Sequence, residues 1–191
     1  NVLLENVGVQ DQIATVFGGL NVIKINCNGE FSVNPLRIDY SRKQQFNDNL
    51  LLFFTGVTRI ASNICKEQID TVKSKTLQLQ RMMELVPEAV NILVSNTSDI
   101  NDFGRLLHET WMLKRSLTNK ISNSVVDSIY SSAIKAGAIG GKLLGAGGGG
   151  FMLFFAPPDK HPQICNALEG LVRVPFLMEN TGCEIIYPAL N

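Results

Sequence analysis

Gly137-Ala-Ile-Gly-Gly-Lys-Leu-Leu-Gly-Ala-Gly-Gly-Gly-Gly-Phe-Met-Leu-Phe-Phe155 carries eight of the sixteen glycines in this 191-residue chain. A bulky apolar run, Phe151 to Phe155, follows the last glycine directly. A flexible linker surrounds its glycines with serine or charge. Here they are gripped between two apolar segments, residues 139–144 and 151–155. The pattern predicts a tight loop between two strands, with backbone amides turned toward a ligand or another backbone.

Spacing excludes two nucleotide loops. Gly145, Gly147 and Gly150 satisfy G-x-G-x-x-G, but a dinucleotide site needs a helix to begin there, so that its N-terminus faces the pyrophosphate. Residues 151–155 are a short bulky run closed by Pro157-Pro158, which is strand chemistry. A Walker loop fails because Ala136 holds the place of its first glycine and Leu143 the place of its Ser or Thr. The loop alone leaves two readings open, a hairpin shaped for close packing and an anion-cradling or substrate-backing loop.

Outward from the loop, composition narrows the classes. With 45% hydrophobic residues the chain is long enough for a real core, in one domain or one and a half. Its 17 basic and 17 acidic side chains cancel, which argues against a nucleic-acid or anionic-membrane surface. No apolar stretch reaches the ~18 residues of a membrane span, and no signal-peptide pattern opens the sequence. Cys27, Cys65, Cys165 and Cys183 are scattered without C-x-x-C spacing, so a reduced, cytoplasmic chain is expected. His108-Glu109 begins like H-E-x-x-H, but Met112 occupies the second histidine's place, and His108 is read as a helix-surface or packing residue. The chain opens at Asn1 in what reads as the middle of a fold, and a segment of a longer polypeptide is expected.

Along the chain, a short helix with Ile13, Val16 and Phe17 on one face is stopped by Gly18-Gly19. Residues 22–26 and 30–38 then pattern as a hairpin around Asn28-Gly29. The polar stretch 42–48 reads as a domain boundary before a buried strand, Leu50–Phe54. Helices are predicted from Val57 through Cys65, over 77–93 with a bend or division at Pro87, and over 99–117. Ser124-x-x-Asp127 predicts a capped helix that stops at Gly137. After the loop and its strand come a helix at 162–171 and strands at 172–178 and 183–187. From Leu50 onward this is an α+β, split βαβ pattern with extra helices in the first crossover.

Two separated motifs read together carry a resemblance. Gly8-Val-Gln-Asp11-Gln12 leading to Phe17-Gly18-Gly19, with Gly141-Lys142 through Gly150 downstream, resembles the GHMP superfamily of small-molecule kinases. Residues 51–59, together with Leu106, His108, Trp111, Lys114, Arg115 and Ser116, look like its D-glycero-D-manno-heptose phosphate kinases. The resemblance spans almost the whole chain. It implies that residues 1–47 are the tail of a ribosomal-S5-domain-2-like N-terminal domain and 48–191 a ferredoxin-like C-terminal domain.

The resemblance also implies ATP and Mg²⁺ as cofactors, a sugar or sugar phosphate as the small-molecule partner, and a catalytic role for Asp11 beside the acceptor hydroxyl. Transfer to an alcohol needs somewhere for the hydroxyl proton, and a carboxylate can accept it; the plainer reading is a helix-start acid favoured by the dipole. Gly8, Gln12, Lys142, Gly145, Gly147, Gly148 and Gly149 are the implied support of the substrate and phosphate loop. Lys114 and Arg115, with Arg59 a weaker candidate, are the implied sugar-phosphate contacts, or else an exposed charge pair at a helix end. The family's P-x-x-x-G-L-G-S-S-S phosphate motif does not occur in these residues, so no metal ligand is named among them. A galactose- or fucose-type kinase is the alternative acceptor reading, and a ferredoxin-like module that binds a small ligand without chemistry is the alternative class.

Overall fold

The computed structural model describes residues 8–57, 74–145 and 147–184. They fall into two compact units, one of Ile38–Phe176 and one of Gly8–Arg37 with residues 177–184.

The larger unit is built on one antiparallel sheet. After helix α2 (Tyr40–Asp48) comes β3 (Leu50–Phe54), then α3 (Thr76–Val94), α4 (Asn101–Arg115) and α5 (Ser124–Lys135). Strands β4 (Gly140–Leu143) and β5 (Phe151–Phe155) follow, with the glycine loop between them, and α6 (His161–Ala167) and β6 (Val172–Arg173) end the unit. The sheet order is β4-β5-β3-β6, and every neighbouring pair is antiparallel. That order, with the first strand of the unit between the third and the last, is the ferredoxin-like split βαβ arrangement. The fold class is α+β, as the sequence patterning implies.

Alternation along the strands places the core. Leu51 and Phe53 of β3, Met152 and Phe154 of β5 and Leu143 of β4 share one face. They form a buried cluster with Ile129, Tyr130 and Ala133 of α5 and Ile164 of α6. Phe155 points the other way, where its ring lies 6.1 Å from Phe46 of α2 and 5.7 Å from Phe103 of α4. On that side α4 lies directly on β4. A Cβ at Gly140 would collide with the Gly104 carbonyl and sit 2.8 Å from the His108 amide.

Several local expectations are revised. The polar stretch 42–48 is helical and belongs to α2, which holds on through buried Phe46 and through Arg42, whose Nη2 donates to the Ile92 carbonyl at 2.7 Å. Helix α3 runs undivided past Pro87. Packing on both sides of the proline outweighs the lost hydrogen bond: Leu85 and Leu93 are buried, and Arg81 reaches Glu109 of α4 at 2.7 Å. Asn123, not Ser124, caps α5, accepting from the Val126 amide at 3.0 Å. The strand expected over 172–178 pairs only at Val172 and Arg173, with one further bond from the Val174 amide to Leu52. Pro175 then has no N–H to continue the ladder. Of the strand expected at 183–187, residues 183 and 184 are not extended in a sheet and the rest lie outside the described residues. The helix expected from Val57 through Cys65 also lies outside them.

The smaller unit carries α1 (Gln10–Phe17) and the hairpin β1 (Asn21–Ile25) and β2 (Phe31–Pro35). The expected stop and turn are both present: Gly18 has φ 61°, and Asn28-Gly29 turns the hairpin with Gly29 at φ 86°. Residues 179–183 lie against the end of α1, with the Gly19 amide donating to Glu179 at 3.1 Å and the Cys183 amide to Val16 at 3.3 Å. Among the described residues no helix is long and apolar enough to cross a membrane.

Candidate active site

The glycine loop leaves β4 through Leu144, whose amide closes the ladder onto Phe151 at 2.8 Å, and it is then tethered from two sides. On the β3 side, the Thr55 amide donates to the Gly150 carbonyl at 2.8 Å. The Gly150 amide in turn donates to the Val57 carbonyl at 2.8 Å and to Thr55 Oγ1 at 3.1 Å. Thr55 is buried, so these bonds form away from competing water. On the helical side, the Gly148 amide donates to Ile121 at 2.9 Å and Asn123 Nδ2 donates to the Gly148 carbonyl at 2.9 Å. Lys114 Nζ donates to the Gly145 carbonyl at 2.5 Å.

This close clamping explains the residue type. A Cβ at Gly147 would lie 2.8 Å from Ile121 Cα on a backbone at φ 127°, and a Cβ at Gly149 would run into the Val57 carbonyl. Between these anchors, the Gly147 and Gly149 amides meet no acceptor among the described residues. Alternate amides are therefore tied back and left available, an arrangement suited to holding an anion.

The structure divides the sequence-predicted residues between the two units. Asp11, Gly8 and Gln12 stand exposed at the start of α1 in the smaller unit. The Asp11 carbonyl accepts from Thr15 Oγ1 at 2.8 Å, and its carboxylate meets no partner among the described residues. The loop glycines, Lys142, Lys114 and Arg115 stand in the larger unit. Arg59 lies outside the described residues.

Lys114 and Arg115 diverge. Lys114 holds the loop, whereas Arg115 pairs with Asp127 at 2.8 Å and lies over the Trp111 ring at 5.9 Å. Asp127 also accepts from Ser122 Oγ at 2.5 Å, which ties the turn before α5 to the end of α4. Lys142 shares a strand face with Gly140, and its side chain makes no hydrogen bond or ion pair among the described residues. Burial holds its ammonium below the usual lysine range, because desolvation penalises the charged form. His108 is a packing residue, with Nδ1 2.6 Å from the Tyr130 hydroxyl. Burial pushes that phenol up to about 12, so it stays protonated at neutral pH.

Sequence reasoning missed Thr55, Ser122, Asn123 and Asp127 as parts of this site. The sequence marks Asp127 only as part of a helix cap and Thr55 only within the resembling stretch 51–59, while Asn123 is a capping residue type one position before the expected cap. Among the described residues no three of His, Cys, Asp or Glu gather as a metal site.

A tight glycine loop joins two strands of a ferredoxin-like sheet and is tethered so that, among the described residues, alternate amides stay available. Residues 82–172 match the family described as GHMP kinases C terminal, and the chain carries the C-terminal domain of that family. It is 33% identical over 162 residues to D-glycero-alpha-D-manno-heptose 7-phosphate kinase of Campylobacter jejuni, covering 84% of this chain and 48% of that protein. It is 30% identical over 163 residues to an L-fucokinase/L-fucose-1-P guanylyltransferase of Bacteroides fragilis, covering 82% of this chain and 16% of that protein. In fold it is similar to a D-glycero-D-manno-heptose 1-phosphate kinase of Bacteroides thetaiotaomicron, with a TM-score of 0.58 at 24% identity over 95% of this chain and 50% of that one. The chain thus spans about half, or less, of the length of the relatives it matches.

Proposed function

We propose that the protein transfers the γ-phosphoryl group of ATP to a hydroxyl of a sugar or sugar phosphate, most specifically a D-glycero-D-manno-heptose phosphate. The observation that carries this reading is the glycine loop with its alternate free amides, in a chain 33% identical to a heptose phosphate kinase. The acceptor oxygen attacks the γ-phosphorus, the bond to the β–γ bridging oxygen breaks, and ADP leaves. The hydroxyl proton passes to the Asp11 carboxylate, which has no competing partner among the described residues. The loop supplies fixed dipoles to phosphate oxygens at no reorganisation cost.

The cofactors of this reading are ATP and Mg²⁺. Among the described residues no three of His, Cys, Asp or Glu gather to hold the metal. The family's division carries over with it, residues 1–47 as the tail of the first domain and 48–191 as the second, in a cytoplasmic enzyme.

The test is ADP release by the natural-length protein with Mg²⁺-ATP and a panel of sugars and sugar phosphates. Release that depends on a heptose phosphate supports the specific reading. Release with fucose instead favours the second reading, a fucose-type kinase, which rests on the 30% identity to an L-fucokinase. In the active protein, Asp11→Asn is expected to lower turnover by orders of magnitude with ATP binding nearly intact. Unchanged turnover removes Asp11 from the chemistry.

A further inference from the structure

The geometry points to Asn123 as the positioning residue that sets the shape of the glycine loop. One side-chain amide does two separate jobs. Its Oδ1 accepts from the Val126 amide at 3.0 Å and caps α5, while its Nδ2 donates to the Gly148 carbonyl at 2.9 Å. The same peptide region is held from the other direction, since the Gly148 amide donates to Ile121 at 2.9 Å. Gly148 thus has both its backbone groups bound to one turn, residues 121–123, and the two free amides lie on either side of it.

The cap makes this turn rigid enough to serve as a template. Helix α5 buries Val126, Ile129, Tyr130 and Ala133 in the core, so its first turn has little freedom, and Asn123 transmits that position to the loop. Asp127 reinforces the turn by accepting from Ser122 and pairing with Arg115. A residue that could only cap, such as Ser or Asp, would anchor the helix equally well and leave the Gly148 carbonyl without this donor. The inference deepens the kinase reading of the loop and rests on it for its catalytic consequence, though not for its structural one.

Asn123→Asp in the natural-length protein separates the two jobs, because it keeps the capping oxygen and sets a carboxylate against the Gly148 carbonyl. Asn123→Ser keeps a capping oxygen without the added charge. Both variants are expected to melt within ~2 °C of wild type, since a side-chain cap is retained. Both are expected to exchange the Gly148 and Gly150 amides about tenfold faster, the effect of one lost hydrogen bond on local opening. In the kinase assay KM for ATP is expected to rise about tenfold with a smaller change in kcat. A residue acting only as a cap would leave exchange and KM at wild-type values in both variants, and that result overturns the inference. If the wild-type protein releases no ADP with any acceptor, the kinase reading fails, and amide exchange still decides the role of Asn123.

Discussion

Two alanine substitutions six atoms of backbone apart give the loop its sharpest test. At Gly145 (φ 77°) an added Cβ meets nothing within 4 Å, so the cost is the left-handed backbone alone, about 1–2 kcal/mol. At Gly147 the backbone is at φ 127°, beyond the ordinary left-handed region, which costs about 1–3 kcal/mol. The new Cβ would also lie 2.8 Å from Ile121 Cα and 2.9 Å from its oxygen. Both are backbone atoms, so relief requires the loop or the turn to move, and overpacking of this kind costs about 1–3 kcal/mol more. The two contributions bring Gly147→Ala to about 2–6 kcal/mol, against about 1–2 kcal/mol for Gly145→Ala. Urea unfolding of the natural-length protein reads the difference as a larger fall in midpoint at unchanged slope. Equal losses for the two variants would refute the close approach of the loop to the Ile121 turn.

Burial of Lys142 has a pH signature. Its folded-state pKa is lowered below 10.5 by desolvation, so between the lowered value and 10.5 the unfolded chain binds more protons and stability rises with pH. Lys142→Met is expected to raise the thermal midpoint at neutral pH, by an amount that shrinks as pH approaches 10.5; a gain independent of pH would count against a buried ammonium. Arg42 is buried and donates to the Ile92 carbonyl, so Arg42→Ala is expected to cost about 1–3 kcal/mol through the acceptor left behind, measured by urea unfolding. A loss under about 0.5 kcal/mol, the ordinary range for a surface position, would show that α2 is not pinned to α3 there.

What the sequence made legible was local. Leu50–Phe54 and Phe151–Phe155 announce themselves as continuous bulky runs, and α4 by its apolar spacing, because those patterns arise from each segment's own burial. Helix α2 was hidden because its holding contacts are tertiary: Phe46 against Phe103 at 4.7 Å between ring centroids, and Arg42 to a carbonyl fifty residues away. The same division runs through the site. The loop could be found from its glycines, but its anchors join residues 25, 31 and 95 apart in the chain, and nothing in the neighbourhood of Thr55 or Asn123 marks them as partners of Gly150 and Gly148.

Those long spans bear on when the site comes into being. The Thr55–Gly150 bond closes a segment of 95 residues, and it stands at the end of the β3–β5 pairing. Contacts of such separation are late rewards in folding, because chain entropy must be lost before they form. The available loop amides therefore acquire their arrangement with the whole sheet and not with the β4–β5 hairpin that contains them. A nascent chain that has made the hairpin but not yet threaded β3 beside it would possess every glycine and no site.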